Sequence, residues 1–176
     1  MRMSLVTIFS SLALLFVTAC SPSWWQDFKN NPTQATDAVL DTAQSAADVA
    51  AVTFHQLKGY LPPEQQDAAQ AKFDKASVTL SLAIQAVRDA VRAAAEAKND
   101  HPDLFAVLQA VGSAVSDVQA LVVSIRDLAS ASRPGAAPGV VQAPIEVPAM
   151  AALDQLSASV KKQTGLVQSS AQPAAQ

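Results

Sequence analysis

The sequence predicts an all-α fold, an antiparallel three-helix bundle of coiled-coil character, and three observations carry that prediction. The chain is alanine-rich, with only 5 glycines and 5% aromatic residues, a composition that favours helix. Apolar residues recur at spacings of three and four through three long segments. Clusters of proline, glycine and asparagine separate those segments, and connections this short make sequential helices antiparallel neighbours.

The first helix is marked at both ends. Asn31-Pro32-Thr33-Gln34 reads as an N-cap, a proline at the first helical position and a glutamine placed to close a capping box. Val39, Ala43, Ala46, Ala50, Phe54, Leu57 and Leu61 follow as one apolar stripe. Gly59 is the expected C-terminal cap, and Pro62-Pro63 forbids continuation. The helix is therefore expected over Pro32 to Lys58, about 40 Å at 1.5 Å per residue. Its early seam is mostly alanine, which permits close approach but buries little apolar area, so this stretch is expected to open most easily.

The second helix starts at Pro63, with Glu64 and Asp67 near its beginning and Lys98 at its close. Its stripe is Phe73, Ala76, Leu80, Ile84, Val87, Val91 and Ala94, and Asn99-Asp100-His101-Pro102 ends it. The third helix, with Asp100 or His101 as cap, carries the most regular heptad: Leu104, Leu108, Val111, Val115, Val118, Val122, Ile125 and Ala129. Strict alternation of four and three is the seam of a left-handed coiled coil. Leu121 and Leu128 widen that face toward a second neighbour. Charges agree with these boundaries: Asp37, Asp41 and Asp103 lie early in their helices, while Lys58, Arg126 and Arg133 lie late, each complementing the helix dipole.

The bundle so defined covers residues 32–131. From 132 to 148 the composition changes to Pro, Gly and Ala, a linker. Leu153, Leu156, Val160 and Val167 then mark a short amphipathic helix over 149–168, and 169–176 reads as a disordered tail. Whether this fourth, short C-terminal helix docks on the bundle is left open by the sequence.

The N-terminus has a different character. Met1-Arg2-Met3-Ser4 is a basic start, and Leu5 to Val17 is an apolar run of about 13 residues. That is too short to span a bilayer, which takes roughly 20. Small Thr18 and Ala19 then precede Cys20, the only cysteine. Val17-Thr18-Ala19-Cys20 resembles the lipobox of bacterial lipoproteins, and through it the chain is identified as a member of that class. The resemblance covers the first twenty-odd residues only. It implies that 1–19 is a signal peptide, cleaved before Cys20, and that Cys20 carries a covalent diacylglycerol and an acyl chain, the only non-protein group expected. The competing reading is an ordinary secretory signal with an incidental cysteine. Acylation accounts for an unpaired cysteine in an exported chain, and two or more acyl chains hold a protein stably at a membrane. Ser21 stands where an aspartate marks inner-membrane retention in many such proteins, so the resemblance implies the outer membrane, facing the periplasm. Residues 20–31 form the acylated anchor and tether. Within them Trp24, Trp25 and Phe28 read either as a second contact with the bilayer interface or as a clamp on the first helix.

Composition restricts function. Removing residues 1–19 takes away Arg2 and no acid, leaving 11 of the 12 Lys+Arg against 15 Asp+Glu, a formal charge of −4. No basic patch points to nucleic acid. The two histidines, His55 and His101, lie in different segments, and a metal site needs three or four ligands. Arg88, Asp89, Arg92 and Glu96 crowd one part of the second helix, where Arg92 and Glu96 are placed to pair. No nucleophile elbow, phosphate loop or dinucleotide fingerprint is present, and an enzyme is not expected.

One pattern is foreign to an isolated bundle. Val78 and Leu82 fall roughly opposite Leu80 and Ile84 on the second helix, and Val52 is similarly placed on the first. They read as scattered exposed residues, as a face covered by the terminal helix, or as a face for a partner protein. The functional expectation is a membrane-anchored, non-enzymatic envelope lipoprotein whose helical bundle serves as adaptor, scaffold or inhibitor of an envelope protein through a helix face. The alternatives are a lipid-surface-binding helical module and a phage-derived lipoprotein acting in lysis or superinfection exclusion.

Overall fold

The computed structural model describes residues 32–97, 104–132 and 145–171, with side chains described over 34–97, 104–132 and 145–165. These residues form four α-helices, and no strand occurs among them. Helix α1 is Pro32–Lys58, α2 is Pro63–Glu96, α3 is Phe105–Ala131 and α4 is Pro148–Ala171.

The helix ends show how far local rules reach. Both bounds of α1 and the start of α2 fall where proline and the stripe put them. Asn31, the expected cap of α1, lies outside the described residues. Gly59 does not take the left-handed conformation of a C-terminal cap. The chain leaves α1 through two tight turns instead, Tyr60 N–H donating to Leu57 O at 3.0 Å and Leu61 N–H to Lys58 O at 3.1 Å. A Cβ at Gly59 would meet only the Gln56 carbonyl oxygen, at 3.7 Å. Helix α3 also differs from expectation. Asp100 and His101 are outside the described residues, and the cap position belongs to Leu104, which makes no side-chain capping bond. Leu104 is 1% exposed, so this helix start is held by an apolar side chain driven into the core.

Helix α3 packs against each of the other three, and α1 packs against α2, α3 and α4. Helices α2 and α4 lie on opposite sides of the α1–α3 pair. Phe54 and Phe73 stack with ring centroids 4.2 Å apart, and four residues further along α1 Lys58 Nζ donates to Gln70 Oε1 at 2.9 Å. Partners that rise on one helix and fall on the other make α1 and α2 antiparallel. The same holds for α3 and α4, where Gly112 meets Thr164 and Gln119 meets Asp154.

Every residue of the α3 heptad from Leu104 to Ala129 is buried, none more than 4% exposed. The alanine seam of α1 is equally closed, with Ala43, Ala46 and Ala50 at 1% or less. Leu121 is half-buried, but Leu128 is 43% exposed, contrary to the expectation that both widen the core face. Leu121 lies beside Lys72 and Ala76 of α2, whereas Leu128, two turns on, stays open to water.

The helix after the linker is docked. Ile145, Val147, Met150, Leu153 and Val160 join the core, and α4 packs against α1 and α3. Its entry is clasped by Ser130, whose hydroxyl donates to Arg126 O at 2.8 Å and accepts from Ile145 N–H at 3.0 Å. Further along, Gly112 permits close approach, since a Cβ there would sit 2.6 Å from Thr164 Oγ1. At 24 residues α4 is longer than the short segment the periodicity marks, and it gives the bundle a fourth member. It does not cover the outer face of α2. That corrects the expectation that the terminal helix is the nearest cover for Val78 and Leu82.

Candidate interaction surface

On α2 one register of apolar residues points inward: Phe73, Leu80, Ile84 and Val87 are each 6% exposed or less. A second register, Ala71, Lys75, Val78, Leu82, Gln85 and Asp89, keeps the same alternation of three and four on the opposite side, and all six are exposed. Within it Val78 is 58% and Leu82 65% exposed, the two most exposed large hydrophobic residues described. One turn apart, they form a small continuous apolar surface. Val52 of α1, at 51%, points outward from its own helix. The sequence placed all three on outer faces, and the structure leaves all three uncovered.

Two further large hydrophobic residues are exposed, one that the sequence reading passed over and one that it assigned to the core face. Tyr60, 55% exposed, stands in the α1–α2 turn, and Leu128 has been described. The signal for Tyr60 was available, because a lone aromatic beside Gly59 and ahead of Pro62-Pro63 sits where the stripe has ended. Gly112 was also missed. A glycine inside an otherwise perfect helical seam marks a close approach of backbones.

Charge around the α2 register is arranged along the helix rather than clustered. Lys75 stands one turn before Val78. Asp89 stands two turns after Leu82, accepting from Gln85 Nε2 at 2.9 Å and lying 3.6 Å from Arg92. The ion pair formed is therefore Asp89–Arg92, not the expected Arg92–Glu96. Both partners are more than half exposed, so the pair is freely exchanged with water.

The other candidates do not come together. His55 is exposed on α1 with its ring 5.7 Å from that of Phe54, and His101 lies outside the described residues. Among the described residues no three His, Cys, Asp or Glu side chains converge. Open hollows among the described residues include one of about 430 Å³ where Arg126 of α3 meets Met150 and Asp154 of α4, and one of about 280 Å³ between α2 and α3, with Lys72, Lys75 and Thr79 on its rim. Cys20, the residues Val17, Thr18 and Ala19 before it, and Trp24, Trp25 and Phe28 all lie outside the described residues. Comparison with protein-family models, with curated proteins and with solved structures found no match for this chain.

Proposed function

We propose that the chain is a non-enzymatic lipoprotein of the bacterial envelope, held at the membrane through Cys20, whose bundle recognises another protein through a helix face. The observation that carries this reading is Val17-Thr18-Ala19-Cys20 at the end of a short apolar run, with the only thiol of the chain at the one position where acylation places it. After cleavage, residues 20–31 tether a rod of four helices running up-down-up-down, with α2, about 50 Å long at 1.5 Å per residue, as its longest member. A sequence so poor in glycine, together with an outer helix face of uncovered apolar residues, supports recognition rather than reaction. Ser21 after the acylated residue favours the outer membrane, with the bundle in the periplasm.

The test is acylation. Cells fed an alkyne-bearing palmitate should label the wild-type protein, which should fractionate with the outer membrane, and Cys20→Ser should lose both label and membrane association. An unlabelled, uncleaved wild-type chain in the soluble fraction would overturn the proposal.

One observation favours a second reading, that of a lipid-surface module. Helix α3 is long and apolar enough to cross a membrane by length and composition, with a mean hydropathy of 1.5 in its most apolar stretch. That helix is also the central helix of the bundle, and its seam is already buried, so the protein-binding reading stands first. Flotation of the Cys20→Ser form on anionic vesicles separates the two: binding without the lipid anchor favours the module.

A further inference from the structure

We infer that the outer register of α2 is a self-association surface, on which a second copy of this chain docks antiparallel through its own α2. The inference rests on the helix-face reading above and names the partner. Three observations carry it. Val78 and Leu82 flank Leu80, half a residue from the midpoint of α2, so a two-fold axis level with Leu80 sets Val78 of one copy against Leu82 of the other. The same axis lets two helices of 34 residues overlap along all but their first residue. Small residues flank the apolar pair, with Ala71 before it and Ala86 and Ala93 after it, all exposed, which lets two backbones approach closely.

The third observation is charge, and it selects both the occupant and its direction. Antiparallel about Leu80, Lys75 of one copy stands opposite Gln85 of the other, within one turn of the Asp89 carboxylate that Gln85 already holds at 2.9 Å. The symmetry makes this contact twice. A parallel pair would instead set Lys75 on Lys75 and Asp89 on Asp89, which repel. Asp89 is free to change partner because its bond to Arg92 is exposed and 3.6 Å long. Helix α2 is also open to such a neighbour within the fold, since α4 packs on the far side of the bundle.

The experiment uses the acylated chain, whose Cys20 sulfur is a thioether and cannot form a disulfide, reconstituted in phosphatidylcholine vesicles as two differently tagged populations, one Val78→Cys and one Leu82→Cys. Under mild oxidation the mixed 78–82 disulfide should exceed either like pair at least 5-fold. Lys75→Asp should cut the mixed product at least 5-fold, and Lys75→Asp with Asp89→Lys in both populations should restore it to within 2-fold. Helical circular dichroism of each variant establishes that these exposed substitutions leave the fold intact. No disulfide, like pairs in excess, or no rescue by the charge swap overturns the inference. A photo-crosslinker at position 78 in cells separates the two failures. Capture of a different protein alone sinks self-pairing but keeps the helix-face reading, and capture of neither protein sinks both.

Discussion

Two buried serines with opposite predicted effects show how little residue type says without its neighbours. Ser130 is 7% exposed, and its hydroxyl satisfies both Arg126 O and Ile145 N–H. Ser130→Ala leaves the Ile145 N–H buried without an acceptor, so it should destabilise by about 1–3 kcal/mol in urea unfolding. Ser157 is 0% exposed and its Oγ has no partner. Ser157→Ala removes a polar atom already stripped of water and should leave stability unchanged or raise it by roughly 1 kcal/mol. Destabilisation by Ser157→Ala would show that the hydroxyl has a partner in solution. Gly112 is a third case. Alanine there gains about 1 kcal/mol of helix propensity but forces a Cβ to within 2.6 Å of Thr164 Oγ1 and 3.2 Å of Thr164 Cβ. Rotating the hydroxyl away does not relieve the second contact, and overpacking costs about 1–3 kcal/mol. Gly112→Ala should therefore be net destabilising, and Thr164→Ala should rescue it, with a coupling of at least about 1 kcal/mol in a double-mutant cycle.

At the scale of elements, α4 is the part whose role the sequence left open. Its stripe is short, its interface includes the buried Ser157 and Gln163, and the Gln163 Oε1 atom is unpartnered. Its apolar contribution is nevertheless real, because Met150, Leu153 and Val160 close over α1 and α3. Ending the chain at Ser132 should expose the alanine seam of α1 and one side of the α3 heptad. The expected result is a lower urea midpoint together with binding of a hydrophobic dye by the folded state. An unchanged midpoint and no dye binding would mean that α4 does not dock in solution. The expectation that the early turns of α1 open most easily can be read in the same pair of chains. Those turns are all but sealed in the four-helix arrangement, and amide exchange there should accelerate when α4 is removed.

At the scale of the whole molecule, the residues that hold the bundle and those proposed for recognition sit on different faces. The apolar residues that hold the bundle converge on α3, whereas Val52, Val78 and Leu82 contribute surface and no core. Val78→Ser with Leu82→Ser should therefore shift unfolding by no more than about 0.5 kcal/mol while abolishing association through α2. A large loss of stability would place those side chains in the core. The arrangement suits the proposed tether: confinement at a membrane would raise local concentration, so a face with only two large apolar residues could still bring copies together.

The sequence alone determined the helices, and it alone supports the proposed tether, because those signals are local. Proline at the starts of α1 and α2, the four-and-three alternation from Leu104 to Ala129, and a lipobox-like tetrapeptide before one cysteine each act within a few residues of where they stand. A helical wheel also established that Val78 and Leu82 face away from Leu80 and Ile84. Only the tertiary structure decided what lies across from each face. It put α4 against α1 and α3 rather than over α2, gave the cap of α3 to a buried leucine, and left Leu128 in water. Those outcomes depend on shape at distant positions, such as the missing Cβ of Gly112 beside Thr164. Periodicity along one chain records which residues avoid water, and it carries no information about which neighbour excludes the water.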